Sequence, residues 1–198
     1  MSTTPDEPRV DDPRADDRVD EILALLERAG EVDYIGEGVS QLVHALQAAD
    51  LARRAAADDE AVLAALLHDV GHLCAGPDAP RMGGVGVMCH EEIGAAYLVR
   101  LGLPQRVTEL VRGHVAAKRY LVSRDSGYLR RLSDASRVTL NHQGGPMSPA
   151  ERHVFESLPH HEDLLRLRSW DEHAKDPSRS VPDLASYRSL LRICLAER

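Results

Sequence analysis

The stretch Ala64-Ala65-Leu66-Leu67-His68-Asp69-Val70-Gly71-His72 constrains this chain more than any other part of it. It starts as an apolar, helix-compatible run that has to be buried whichever way it faces. It then sets a histidine beside an aspartate, and a second histidine follows one turn later. A desolvated carboxylate next to an imidazole is expensive to bury unless a cation lies between them, and a metal ion is the simplest such cation. Adjacent side chains on a helix diverge by about 100°. His68 and Asp69 therefore converge on one ion only near a helix end or a distortion, which Gly71 allows. The alternative for this pair alone is a helix terminus with a solvated acid and a stray histidine.

The rest of the chain supplies the corroboration. Val19, Ile22, Leu23, Leu25 and Leu26 mark one face of a first helix ending near Gly30. A loop then holds Tyr34 and Glu37 among glycines, and Ser40 is placed to cap a second helix with His44 beside its apolar stripe. Asp58 and Asp59 offer N-caps for the helix that runs into His68-Asp69. Residues 73–88 turn irregular with Pro77, Pro80, Gly83, Gly84 and Gly86, and a loop this long inside one domain is usually functional. His90 opens the next helix, and His114 and Lys118 share a face of the one after it. A short helix is expected over 133–140. Ser148-Pro149-Ala150-Glu151 reads as a capping box. Trp170-Asp171 closes a further helix, and a last one is expected over 184–195. Strand-like alternation is absent, so the expected fold is all-α: one helical domain over 18–198 behind a disordered leader of residues 1–17.

Six polar positions then stand in apolar surroundings: His44, His68, Asp69, His90, His114 and Asp171. Apart from the adjacent pair, each is expected at or near the end of a separate helix. Four imidazoles and two carboxylates suffice for two metal ions with Asp69 bridging, since two-metal sites place their ions about 3.5–4 Å apart. Mixed nitrogen and oxygen donors suit iron, manganese, zinc or nickel better than calcium or magnesium. His142, His153, His160, His161 and His173 lie in polar surroundings and read as surface residues. His72 is intermediate, placed to meet a bound anion or to orient a metal ligand.

Composition narrows the function class. A net charge of -8 and 4% aromatic residues argue against nucleic-acid binding. No apolar run approaches the ~20 residues a membrane span needs. The first 17 residues have no hydrophobic segment, so no secretory signal is expected there. Three widely spaced cysteines suit a reducing compartment, and the expected location is cytoplasmic.

The order His44, His68-Asp69, His90, His114, Asp171 resembles the HD-domain superfamily, specifically its dinuclear branch. Most of that superfamily hydrolyses phosphate esters. Asp33-Tyr34-Ile35-Gly36-Glu37, Met82-Gly83-Gly84-Val85-Gly86-Val87, Gly113-His114-Val115-Ala116-Ala117-Lys118-Arg119-Tyr120 and Trp170-Asp171-Glu172 are similar to a narrower group, the HD-domain mixed-valent diiron oxygenases. That resemblance implies two irons, Fe(II)/Fe(III). One would be held by His44, His68, Asp69 and Asp171, the other by His90 and His114 with Asp69 shared. Tyr34 would coordinate in the resting enzyme and leave when substrate arrives. Glu37 would receive a cationic amino group, while His72, Lys118 and Ser136 would hold the phosphonate. The implied reaction uses O2 to split the carbon–phosphorus bond of a small 1-hydroxyphosphonate. The expected substrate is 2-amino- or 2-trimethylammonio-1-hydroxyethylphosphonate, giving phosphate and glycine or glycine betaine. An upstream phosphonate hydroxylase would be its companion enzyme. The competing expectation is a metal-dependent phosphohydrolase acting on a nucleotide or other phosphate ester, in which Tyr34 and Glu37 have no task.

Overall fold

A run buried on every side belongs in the middle of a bundle, and the fold is arranged around one. The computed structural model describes residues 13–31, 34 and 37–196. Its helices in chain order are α1 (Pro13–Arg28), α2 (Gln41–Arg54), α3 (Asp59–Leu67), α4 (Gly71–Cys74), α5 (His90–Leu101) and α6 (Gln105–Arg124). After them come α7 (Tyr128–Arg131), α8 (Asp134–His142), α9 (Pro149–Glu156), α10 (His161–His173) and α11 (Arg188–Ala196). Residues 61–67 of α3 are all buried. Around α3 stand α2, α6 and α10; α5 lies against α6 and α4, and α1 packs on α11. No strand occurs among the described residues, and an isolated antiparallel bridge joins Arg81 to Val87 in the long loop. The all-α expectation holds.

Local chemistry sets the helix ends. Ser40 caps α2 through the Val43 amide, and Asp58 caps α3 through the Ala61 amide at 3.0 Å. Ser148 and Glu151 form the expected capping box at the start of α9, and Gly102 ends α5 in the left-handed conformation. Each side-chain cap contributes about 1 kcal/mol. The apolar core supplies more: fully burying a leucine is worth about 1.5–3 kcal/mol, and Leu63, Leu66 and Leu67 are all at 1% exposure or below.

Three expectations change. Residues 13–17 are not leader but the opening of α1, where Ala15 is buried and Arg18 follows with hydrogen bonds to the Leu101 and Leu195 carbonyls. Residues 1–12 lie outside the described residues. α6 continues to Arg124, which leaves His114 in mid-helix rather than near an end. The last helix breaks in two, because the Asp183 side chain caps the Ala185 amide and tightens residues 184–187 into a 3-10 turn before α11. Among the described residues, no helix is long and apolar enough to cross a membrane.

Candidate metal centre

Five helices and one turn bring the six polar residues to one point. His44 stands in the first turn of α2, His68 caps the C-terminus of α3, and Asp69 lies in the turn before α4. His90 is the first residue of α5, His114 the middle of α6, and Asp171 comes from the last turn of α10. The close approach of α4 to α5 depends on Gly71: a Cβ there would sit 1.9 Å from the His90 carbonyl oxygen. Cys89, immediately before His90, takes φ 55°, a left-handed conformation costing a non-glycine residue about 1–2 kcal/mol. The strain lies where the loop must turn sharply to start α5 on the metal-facing histidine.

The donors form two sets that share one carboxylate. His44 Nε2 and His68 Nε2 are 3.1 Å apart, and so are His90 Nε2 and His114 Nε2. Asp69 Oδ2 lies 3.8 Å from His44 Nε2 and 3.5 Å from His68 Nε2. Its other oxygen, Oδ1, lies 3.3 Å from His90 Nε2 and 3.5 Å from His114 Nε2. Asp171 Oδ1 joins the first set at 3.4 Å from His44 Nε2 and 3.9 Å from His68 Nε2.

Each imidazole is turned by a backbone carbonyl at its other nitrogen. Nδ1 of His68, His90 and His114 donates to the carbonyl three residues earlier, at 2.9, 3.3 and 2.7 Å. His44 Nδ1 donates across the bundle to the Ala174 carbonyl at 2.8 Å. A carbonyl only accepts, so Nδ1 carries a proton in all four rings, and each ring in its neutral form has its lone pair on Nε2; against its burial, His114 is raised by the Asp69 carboxylate, the pull that a metal cation would answer in place of a proton. Two pairs of lone pairs therefore face each other in a buried space, which is unfavourable without a cation between them. Two nitrogens bound about 2.1 Å from one ion at tetrahedral to right angles would lie roughly 3.0–3.4 Å apart. The observed 3.1 Å fits that spacing, and Asp171 Oδ1 is buried with no hydrogen-bond partner. The residues present fit a pair of metal ions.

The electrostatics agree. Burial pushes the Asp69 carboxyl up, yet the surrounding imidazoles, His68 foremost, hold it well below the usual range. Asp171 is likewise held down against its burial, chiefly by the Arg168 guanidinium with which it forms a buried ion pair. Burial lowers His68 to about 4, so that ring stays neutral near pH 7.

Above the donors is a small cavity of about 50 Å³. The Tyr34 ring lies flat on His44, with centroids 3.9 Å apart. Burial, then the Asp69 and Asp171 carboxylates, push its phenol well up. His72 stacks on His90 at 4.0 Å. Its Nδ1 accepts the Val87 amide, which leaves the proton on Nε2, and burial lowers the ring to about 3. Lys118 is buried with its ammonium on Thr139 Oγ1 at 2.8 Å. Burial, with Arg168 nearby, brings that ammonium down to about 7. Ser136 lines the same cavity.

Two features of this rim were not anticipated. Glu37, expected to stand open to a substrate cation, is paired with Lys175 at 2.9 Å. Arg168, Thr139 and Gln143 also line the cavity. Arg168 could have been suspected from its spacing, three residues before Asp171 on the same helix, whereas Lys175 lies past that helix's end. No comparable pattern marks Thr139 or Gln143.

The HD domain family matches residues 42–168, a span that includes His44, His68, Asp69, His90 and His114. The chain is 41% identical over 180 residues to hydroxymethylphosphonate dioxygenase of Gimesia maris, covering 90% of this chain and 89% of that protein. It is 38% identical over 165 residues to [1-hydroxy-2-(trimethylamino)ethyl]phosphonate dioxygenase (glycine-betaine-forming) of Leisingera caerulea, covering 83% and 84%. An uncharacterized protein of Acanthamoeba polyphaga mimivirus is 41% identical over 180 residues, covering 90% and 82%. A family match over most of the chain and two relatives of one chemistry, both aligned nearly end to end, leave one assignment: this chain belongs to the HD-domain family, among its phosphonate dioxygenases.

Proposed function

We propose that this protein uses O2 to cleave the carbon–phosphorus bond of a small 1-hydroxyphosphonate, releasing phosphate and the corresponding carboxylic acid. The observation that carries this reading is the division of Asp69, whose two oxygens each face a separate pair of imidazoles. One carboxylate shared by two donor sets is what a coupled pair of irons needs. His44, His68 and Asp171 would hold one, His90 and His114 the other, and Tyr34 would cover the first set. When bound, the two irons would supply O2 activation and a relay for the four electrons that pass from the substrate to O2.

The chain's own groups do the rest. Lys118 and the Nε2–H of His72 present donors to the phosphonate oxygens, and Ser136 adds a hydroxyl on the same wall. The dianion stabilises the ammonium form of Lys118, so binding draws a proton onto Nζ. The Tyr34 ring shields the donors of the first set until substrate displaces it. A cavity of about 50 Å³ is in keeping with a compact substrate. A cytoplasmic location accords with Cys74, Cys89 and Cys194, none of which is in a disulfide. An upstream hydroxylase that converts a phosphonate into its 1-hydroxy form would supply the substrate.

The test is oxygen and phosphate stoichiometry with the iron-loaded protein. Equal consumption of O2 and release of phosphate from a 1-hydroxyphosphonate, with label from 18O2 in the product, supports the reading. Release of phosphate from phosphate esters with redox-inert metals, independent of oxygen, contradicts it.

A further inference from the structure

We infer that the Lys175–Glu37 ion pair closes the position a cationic substituent would occupy, so that this site selects 1-hydroxyphosphonates whose carbon chain carries no positive charge. The inference rests on the phosphonate-cleaving reading above and narrows its substrate to phosphonates without a cationic substituent, of which hydroxymethylphosphonate is the simplest.

The Lys175 ammonium is fully partnered. It has three protons to donate, and three acceptors meet them: Glu37 Oε1 at 2.9 Å, Ser133 Oγ at 3.3 Å and Ser136 Oγ at 3.4 Å. Both side chains of the ion pair are only 14% exposed, so separating them would leave two poorly solvated charges. Nζ also lies 5.5 Å above the Tyr34 ring. A quaternary ammonium would seek the same two partners, a carboxylate and an aromatic face. This protein fills that place with its own cation.

The root of Lys175 is held on both sides. The carbonyl of Ala174 accepts from His44 Nδ1. The backbone of Asp176 is gripped at both groups by Gln47, whose Nε2 donates to the carbonyl at 2.6 Å and whose Oε1 accepts the amide at 3.1 Å. Gln47 is itself fully buried. The lysine therefore projects toward Glu37 from a backbone fixed to α2, not from a loose tail. Glu37 and Lys175 together carry no net charge, and an incoming ammonium would meet Lys175 as a like charge. The two named relatives act on a phosphonate without a cationic group and on one with a trimethylamino group respectively, so likeness alone does not choose between them. The ion pair does.

The experiment compares the full-length iron-loaded protein with Lys175→Met and Lys175→Arg. Two probes are used, hydroxymethylphosphonate and 2-trimethylammonio-1-hydroxyethylphosphonate. Binding is measured by anaerobic calorimetry, and turnover by phosphate release in air. The native protein should prefer hydroxymethylphosphonate in both readouts. Lys175→Met frees Glu37 and should shift the ratio of affinities toward the cationic probe by about 10- to 100-fold, on the order of one charge–charge contact between the freed carboxylate and a quaternary ammonium. Lys175→Arg keeps the charge and should keep the native preference, which leaves a test standing if the Met variant fails to fold. A native preference for the cationic probe overturns the inference while leaving carbon–phosphorus cleavage intact. So does a ratio unmoved by Lys175→Met, or moved equally by Lys175→Arg. If the native protein neither binds nor cleaves either probe, the phosphonate reading falls and the inference with it.

Discussion

The two donor sets are built to the same plan and differ in charge. Each has two histidines 24 residues apart whose Nε2 atoms meet at 3.1 Å, and each has a second ring stacked on one of those histidines: Tyr34 on His44, His72 on His90. Both share Asp69. Among the described residues, only the first set has a further carboxylate beside its Nε2 donors, Asp171, backed by the buried Arg168; Glu91 approaches the second set on the Nδ1 side of His90, at 3.5 Å. The His44–His68 set therefore faces two negative charges and a phenol, and the His90–His114 set faces one shared charge and a neutral imidazole. Were two ions of unequal charge to bind, the more anionic first set would suit the more highly charged one. The second set keeps the less anionic surroundings and adjoins Lys118 on α6, four residues after His114. That asymmetry would direct an anionic substrate to one side of the pair.

The largest expected effect comes from removing what the sets share. Asp69→Ala takes a carboxylate oxygen from both, and metal content after iron loading, measured by elemental analysis, should fall below one equivalent per chain with turnover abolished. Two equivalents retained would mean that each set holds its ion without the bridge. Next in size is Arg168→Leu, which acts on the first set alone by leaving Asp171 buried without its guanidinium. Losing one member of a buried ion pair costs about 3 kcal/mol or more. Thermal melts should show a larger loss in metal-free than in iron-loaded protein, because the ion takes over as the countercharge. An equal loss in both states would show that Asp171 does not face the metal.

The third prediction concerns the second set and its pH dependence. Lys118 is held down at about 7 in the native chain, against an ordinary 10.5. Between those values the unfolded chain binds the extra proton, so this group makes the fold more stable as pH rises through that window. Phosphonate binding runs the other way: it needs the ammonium, and above pH 7 its affinity should fall by up to about tenfold per unit as a proton must be taken up. Titration calorimetry from pH 6 to 9 reads this slope, and Lys118→Met should flatten it. The smallest effect is expected from Tyr34→Phe. The ring keeps its stack on His44, so metal content and stability should hold to within about 1 kcal/mol, while any tyrosinate-to-iron absorption disappears. An unchanged spectrum would remove Tyr34 from the coordination sphere.

The positions that periodicity and metal chemistry both mark were legible in the sequence. The apolar run into His68-Asp69 placed α3 at the centre of the bundle, and the caps at Ser40, Asp58 and Ser148 placed the helix starts. The six polar residues stood out because each interrupts an apolar face. The rim was harder to read. Lys175 lies just past the end of α10 and meets Glu37 across 138 positions, and no local pattern encodes a contact of that range. The family resemblance made Glu37 a carboxylate awaiting a ligand; its partner was already in the chain. Thr139 and Gln143 reach the cavity because α8 and its C-terminal end come beside Lys118 of α6, a tertiary fact without a sequence period. The split of the last helix follows from one hydrogen bond of Asp183, and the sequence offers that residue equally well as an ordinary cap.

Low-temperature EPR of the anaerobically iron-loaded, half-oxidised protein reads directly whether Asp69 joins two irons into one coupled centre. A coupled mixed-valent signal should appear, sharpen when hydroxymethylphosphonate is added and be lost in Asp69→Ala. Signals of isolated ferric ions alone, indifferent to the phosphonate and unchanged in Asp69→Ala, would contradict it.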